Sequence, residues 1–424
     1  MPEEFFYSLF SLFHHNVYYK DDLFDFDANS LFEQLSFKRK ISITEIANSV
    51  SQTVESNLHD YIDSDISLTL TGGMDSRIIL ACLLKAGIKP NCLTYGNPLS
   101  KDVIFAEKLA KSFGLKFHNA GKEAPTKEWY YKWVVETIKR DRGNSHLFRA
   151  HRTAAIAEHA DIYAPKVLFT GHMGGEGLRG LSYNNYFASS FFEMVNERKA
   201  SPEESIRNVL DNYFLKYSQI ELNNLLDTVN ELSWIKNDRD SNKFFFLYDL
   251  VGKIHHAQDI RLYVTFVPSV VPVFLQKEYL QKLFSSEYHF LAKPKGILGR
   301  LANPYVHSKL IQLIYPKLLD YPLSGGYTPR EYLKGLWYYI PVKSYRNFRQ
   351  KTIFSSTFSY GDWYVDFVKE HAKNISSEIW DIYDKEKYMK ALEKGNHGTD
   401  EGYWHRFSNP IYFDLIEKYK KGVL

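Results

Sequence analysis

Ile66-Ser67-Leu68-Thr69-Leu70 runs without a break into Thr71-Gly72-Gly73-Met74-Asp75-Ser76, and this junction decides the reading of the whole chain. The first five residues alternate apolar and hydroxylated side chains, which is the period of a strand. Residues 76–85 are continuously helix-competent, and Gly87 stands where a left-handed C-terminal cap belongs. A strand that ends in Gly-Gly and turns at once into a helix is built to hold anions. Glycine lets the backbone approach a ligand, while the first helical N–H groups and the helix dipole point at it. Thr71 and Ser76 add hydroxyl donors, and Asp75 can serve a polyphosphate only through a bridging divalent cation, normally Mg²⁺. The Gly-Lys-Ser/Thr ending of a Walker A loop is missing, and G-x-G-x-x-G is not matched.

Outward from this junction the same unit repeats. Upstream, Ile43, Ile46, Ala47, Val50, Val54 and Leu58 recur at helical spacing. Downstream, Asn91-Cys92-Leu93-Thr94-Tyr95 reads as a second strand closed by Gly96, Asn97 and Pro98. Ser100 then caps a helix over 101–113 that Gly114 ends. A third short strand over 115–118 precedes helical stretches over 128–139 and 146–159. Lys166-Val167-Leu168-Phe169-Thr170 is a fourth strand, and it too ends in a glycine-rich turn. Strands that alternate with helices imply βαβ units, a parallel sheet and helices on both faces. In such sheets ligands bind beyond the carboxyl ends of the strands, where both glycine-rich turns lie. Beyond about residue 185, segments such as 192–215 and 219–250 read as helical with few strand signals. The expected architecture is therefore an α/β, doubly wound parallel sheet with a helical C-terminal lobe. Its divisions are an N-terminal segment over 1–60, a nucleotide-binding core over 61–185 and a mainly helical lobe over 186–424.

The bulk numbers narrow the function. The chain has 424 residues, 44% of them hydrophobic, ample for a buried core. Its 53 basic and 50 acidic side chains leave a formal charge of +3, which makes no general electrostatic case for nucleic acid or a membrane surface. Cys82 and Cys92 are the only cysteines, too few for a disulfide framework or a Cys-based zinc site, and both sit at core positions of a helix and a strand. The start lacks a signal-peptide pattern, and the most apolar later run, 264–275, is broken by two prolines. A cytoplasmic location without a membrane span is the expectation.

Thr71-Gly72-Gly73-Met74-Asp75-Ser76 resembles the Ser/Thr-Gly-Gly-x-Asp-Ser signature of the pyrophosphate-loop synthetases, the adenine nucleotide alpha-hydrolase-like (HUP-like) group whose members adenylate a substrate and release pyrophosphate. Within that group, Leu93-Thr94-Tyr95-Gly96-Asn97-Pro98 with Asp102 and Ala106-Glu107 resembles the asparagine-synthetase-like branch. There the second strand, here Tyr95 and Gly96, closes the adenine and ribose side. Thr170-Gly171-His172-Met173-Gly174-Gly175-Glu176 falls where the branch has Thr-Gly-Glu-Gly-x-Asp-Glu. Arg349-Gln350-Lys351 resembles its Arg-x-Lys stretch, which supplies a catalytic lysine; Lys293, Lys295, Lys309 and Lys343 compete for that role.

The resemblance covers 60–180 well and the remainder thinly. It implies ATP and Mg²⁺, with Thr71, Gly72, Gly73, Asp75, Ser76 and Gly171 on the nucleotide. It further implies Asp75 and Glu176 on the metal, and Lys351 with His172 at the chemical step. Two departures stand out. The aspartate of the family's metal site aligns with Gly175, leaving the adjacent Glu176 as a substitute. His172 replaces a residue that orients the nucleophile or moves a proton; it reads equally as a general base or as a histidine that hydrogen-bonds its turn. Gln276 stands in place of an aspartate at the end of Val271-Pro272-Val273-Phe274-Leu275, which implies a changed substrate pocket. No glutaminase domain is recognisable before the loop, so 1–60 is expected to be a remnant of one at most and ammonia to come from a separate source.

The expected activity is an amide-forming ligase that adenylates a small-molecule or peptide carboxylate and passes it to an amine. Two other readings stay open: adenylation of a nucleobase or tRNA carbonyl, and an ATP-binding scaffold that has lost catalysis. His14-His15 and His255-His256 point in divergent directions and do not make a metal site. Ser324-Gly325-Gly326-Tyr327 reads as a turn.

Overall fold

A computed structural model of the chain describes residues 40–58, 61–96, 98–121, 126–141, 150–163, 166–179, 201–231, 257–264, 266–289, 297–335, 337–338, 340–342, 344–345, 360–394 and 401–424. Helix α1 (Ile43–Ser56) opens it with a capping box: the Glu45 N–H donates to Ser42 Oγ, and the Ser42 N–H donates to the Glu45 carboxylate. Strand β1 (Ile66–Thr69) leads through the glycine loop into α2 (Asp75–Lys85). Gly87, at φ +81°, ends that helix in the left-handed conformation that side-chain-bearing residues avoid. Strand β2 (Asn91–Thr94) is followed by α3 (Lys101–Ser112), capped by the Ser100 hydroxyl as its sequence implies, and by β3 (Phe117–Asn119). Helices α4 (Lys127–Asp141) and α5 (Ala150–Glu158) return the chain to β4 (Val167–Thr170) and α6 (Gly174–Arg179). Helices α7 (Pro202–Asn212), α8 (Gln219–Glu231) and α9 (Ala257–Val264) precede β5 (Ser269–Pro272). The remainder is α10 (Lys277–Phe284), α11 (Ile297–Ile314), α12 (Pro329–Leu333), α13 (Tyr360–His371), α14 (Lys385–Lys394) and α15 (Glu401–Lys420).

The five strands form one all-parallel sheet in the order β3-β2-β1-β4-β5. The four strands legible in the sequence are present within a residue or two of their expected bounds. The fifth comes from 269–272, inside the segment read as mainly helical; at four residues ending in proline, it is too short to show an apolar alternation. The pleat sends alternate residues to opposite faces. Val167 and Phe169 of β4, with Ile66 and Leu68 of β1, pack against α1, α2, α10 and α11. Leu168 of β4 and Leu93 of β2 pack the other way, onto Ala155 and Ile156 of α5 and Leu262 and Tyr263 of α9. The fold is thus α/β with helices on both faces of a parallel sheet.

A second core lies mainly between helices. It joins Tyr130, Trp133 and Val134 of α4 to Leu210 of α7, Phe367 of α13, Tyr388 of α14 and Phe407 of α15. Helix α4 therefore belongs to the helical cluster, whereas α11, far along the chain, closes the sheet core. No described helix is long and apolar enough to cross a membrane.

Candidate functional site

Strand order reverses at β1. From β1 the chain moves outward to β2 and β3, then crosses back to place β4 on the other side. The turns leaving β1 and β4 therefore diverge from adjacent strands and open a crevice at their carboxyl ends, the position where open α/β sheets bind ligands.

The two turns touch there. Gly171 passes so close to the start of α2 that a Cβ on it would stand 3.0 Å from the Ser76 nitrogen. Gly174 lies against Asp75: an added Cβ would be 2.8 Å from the Asp75 Cβ and 2.8 Å from the Phe274 ring. Only glycine permits these approaches. Between them Met173 adopts φ +70° although it is not glycine, a strained conformation of the kind that gathers at functional sites. A third neighbour arrives from α3, whose Asp102 carboxylate lies 3.1 Å from the point where a Gly72 Cβ would stand.

Within the loop the hydroxyls bond inward. The Thr71 N–H donates to Ser76 Oγ (3.1 Å), and the Gly73 N–H donates to Thr71 Oγ1 (3.2 Å). These bonds brace the Gly72-Gly73 turn at the head of α2; Thr71 Oγ1 and Ser76 Oγ also stand 3.3 Å apart, so one hydroxyl can donate to the other while the second keeps its O–H for a ligand.

Asp75 is the partly exposed carboxylate of the site, at 26% side-chain exposure. His307, fully buried on α11, reaches it: Nε2 donates to Asp75 Oδ1 across 2.8 Å, since an ionised carboxylate only accepts. The buried Tyr279 hydroxyl of α10 is raised above its ordinary range, first by burial and then by the Asp75 charge nearby. It therefore stays neutral beside that carboxylate. His307 was not singled out in the sequence, because an isolated histidine 232 residues from its partner carries no local signal.

Two further elements escaped the sequence. Arg77 is completely buried and donates to the backbone carbonyls of Tyr321 and Pro322. Burial pulls its guanidinium down to about 9. A charged residue at the head of the apolar run 78–84 was the signal that could have marked it. The turn Ser324-Gly325-Gly326-Tyr327 is also more than a turn, for the Ser324 N–H donates to the Gly72 carbonyl (3.0 Å) and Tyr327 packs with Met74.

Of the remaining expected residues, Tyr95 is half-buried under the Arg152 guanidinium, 5.4 Å from its ring centre. The Gly96 carbonyl accepts from Asn119 of β3. His172 is half-buried, with its ring 6.4 Å from that of Tyr263 on α9. Gly175 is buried within α6, and Glu176 follows it on the same helix; the Glu176 side chain lies outside the described residues. Lys351, with Arg349, Lys293, Lys295 and Lys343, also lies outside them, and Lys309 donates to Gln312. Among the described residues no group of three or more His, Cys, Asp or Glu could hold a metal ion. Cys82 and Cys92 are buried thiols, as their positions implied. No protein-family model matches the chain, and no curated protein matches it.

Proposed function

We propose that this chain is an ATP-dependent, AMP-forming ligase similar to the synthetase domain of asparagine synthetases. In this reading it adenylates a substrate carboxylate and transfers the acyl group to an amine. The observation that carries the proposal is the contact of the two glycine turns at the strand-order switch, with Asp75 and the head of α2 against Gly171 and Gly174. The polyphosphate of ATP would lie on that helix head, where N–H donors and the dipole favour anions. The substrate carboxylate oxygen bonds to the α-phosphorus and pyrophosphate leaves. The amine nitrogen then bonds to the acyl carbon, AMP leaves, and a base takes the amine proton; His172 is the candidate for that base. Lys351 is the candidate cation for the charge that develops on the carbonyl and phosphate oxygens.

The donors present fit Mg²⁺. Asp75 offers a partly exposed carboxylate fixed on one oxygen by His307, and Mg²⁺ in nucleotide sites needs only one or two carboxylates beside phosphate oxygens and water. Glu176 is the candidate for a second carboxylate in place of the one missing at Gly175. When bound there, the cation would neutralise phosphate charge.

The test is AMP and pyrophosphate release from Mg·ATP with a panel of carboxylic acids and amines. Wild type should release both with at least one acid, and Asp75→Ala should be slower by about 100-fold. Equal release from Asp75→Ala would refute the proposal. ATP binding without turnover on any acid would favour a lapsed nucleotide-binding fold instead.

A further inference from the structure

An anion on the loop is met by helix N–H groups and by hydroxyl donors, and of the loop's two hydroxyls, 3.3 Å apart, one can be spent on the other. Ser76 Oγ accepts from Thr71, and Thr71 Oγ1 accepts from Gly73. Another hydroxyl residue comes from almost 250 residues downstream. Ser324 donates its N–H to the Gly72 carbonyl, and its Cβ stands 3.0 Å from the point where a Gly72 Cβ would be. The side chain is half-buried and its hydroxyl makes no hydrogen bond among the described residues.

This turn is held in place independently of any ligand. Arg77 donates to the carbonyls of Tyr321 and Pro322, just ahead of it, and its Nε has no hydrogen-bond partner among the described residues. Arg77 has no ion pair among the described residues. A fully buried guanidinium met by neutral carbonyls is costly, since its desolvation outweighs the return from its surroundings. What it achieves is to suture residues 321–322 to the first turn of α2. Met74 adds an apolar anchor against Leu323 and Tyr327. Fixing a contact before binding lowers the ordering cost that binding must meet.

We infer that the turn from Leu323 to Tyr327 is a further wall of the phosphate cradle, with the Ser324 hydroxyl as a phosphate ligand and Arg77 as the residue that positions it. The inference rests on the nucleotide reading above, and it adds a residue that the loop signature does not contain.

Calorimetry with inorganic pyrophosphate, with and without Mg²⁺, tests it on the full chain. Ser324→Ala removes a hydroxyl with no hydrogen bond among the described residues, so it should melt like wild type. It should bind pyrophosphate about tenfold more weakly, the loss expected for one hydrogen bond to a charged group. Arg77→Gln should weaken pyrophosphate binding and also speed hydrogen exchange at the Ser324 amide, and Arg77→Lys should restore part of both. Wild-type affinity in Ser324→Ala overturns the inference while leaving the nucleotide reading intact. If wild type binds neither pyrophosphate nor Mg·ATP, the nucleotide reading falls and the inference falls with it. Should Arg77→Gln fail to fold, the Ser324→Ala affinity decides alone.

Discussion

Gly174→Ala tests the contact on which the site depends, and Gly177→Ala on the same short helix is its control. A methyl on Gly174 meets three atoms within 3.0 Å: Asp75 Cβ, Asp75 Cγ and Phe274 Cε2. Two of these belong to the first residue of α2 and cannot withdraw without moving that helix. Overpacking of this kind costs about 1–3 kcal/mol. A displacement of Asp75 also disturbs its 2.8 Å bond to His307, and a hydrogen bond to a charged group is worth about 1.5–3 kcal/mol, part of which water recovers at a partly exposed carboxylate. Against this, glycine to alanine in a helix gains at most about 1 kcal/mol. The clash therefore wins at Gly174. At Gly177 a methyl would meet only the tip of Leu283, at 3.0 Å, and a flexible side chain can yield. Gly177→Ala should thus lie within about 0.5 kcal/mol of wild type or above it, and bind Mg·ATP normally. Gly174→Ala should lose about 1–3 kcal/mol and bind Mg·ATP at least tenfold more weakly. Urea denaturation followed by circular dichroism, with calorimetry for the nucleotide, reads both quantities. Two variants of equal stability and equal affinity would show that the turns after β1 and β4 do not meet as described.

His307→Ala removes the donor that fixes Asp75. It should lower stability by about 1–3 kcal/mol and raise the Mg²⁺ concentration needed for half-maximal ATP binding, measured by calorimetry at varied Mg²⁺; an unchanged Mg²⁺ dependence would remove His307 from the site. Burial pushes the Cys82 and Cys92 thiols up to about 12, so both stay protonated in the fold while unfolded thiols ionise near their ordinary value of 9.0. Their contribution is complete below about pH 9 and is lost as pH climbs from there toward 12, by up to about 1.4 kcal/mol per pH unit for each thiol. Buried Tyr213 and Tyr388 are likewise raised by burial and add to the loss above pH 10, while Arg77 opposes it, because deprotonation relieves its buried charge above about 9. Urea midpoints should be flat to pH 9 and fall beyond it; a midpoint that rises there would contradict the burial of these groups. Neither thiol should react with a disulfide reagent until the protein unfolds.

How much was legible follows from the range of each interaction. The strand periodicity of 66–70, the Ser100 cap and the stop at Gly87 are local, and each is present. The pairing of the turns at Gly72 and Gly171 was also within reach, since both end parallel strands and both are rich in glycine. β5 was not, because Ser269-Val270-Val271-Pro272 is short, ends in proline and lies among helices. The positions of Asp102, Phe274 and Ser324 around the loop were equally hidden, as nothing in their own surroundings differs from an ordinary helix start, 3₁₀ turn or loop.

Sequence alone determined that a glycine turn at Thr71–Ser76 heads a helix in a parallel α/β sheet, because glycines, caps and periodicity act between neighbours along the chain. Tertiary structure decided what surrounds that turn. His307 comes from α11, Phe274 from the 3₁₀ turn after β5, and Ser324 from a turn that Arg77 ties to α2. Such contacts depend on strand order and on where distant helices pack, so they emerge only when the chain has closed on itself.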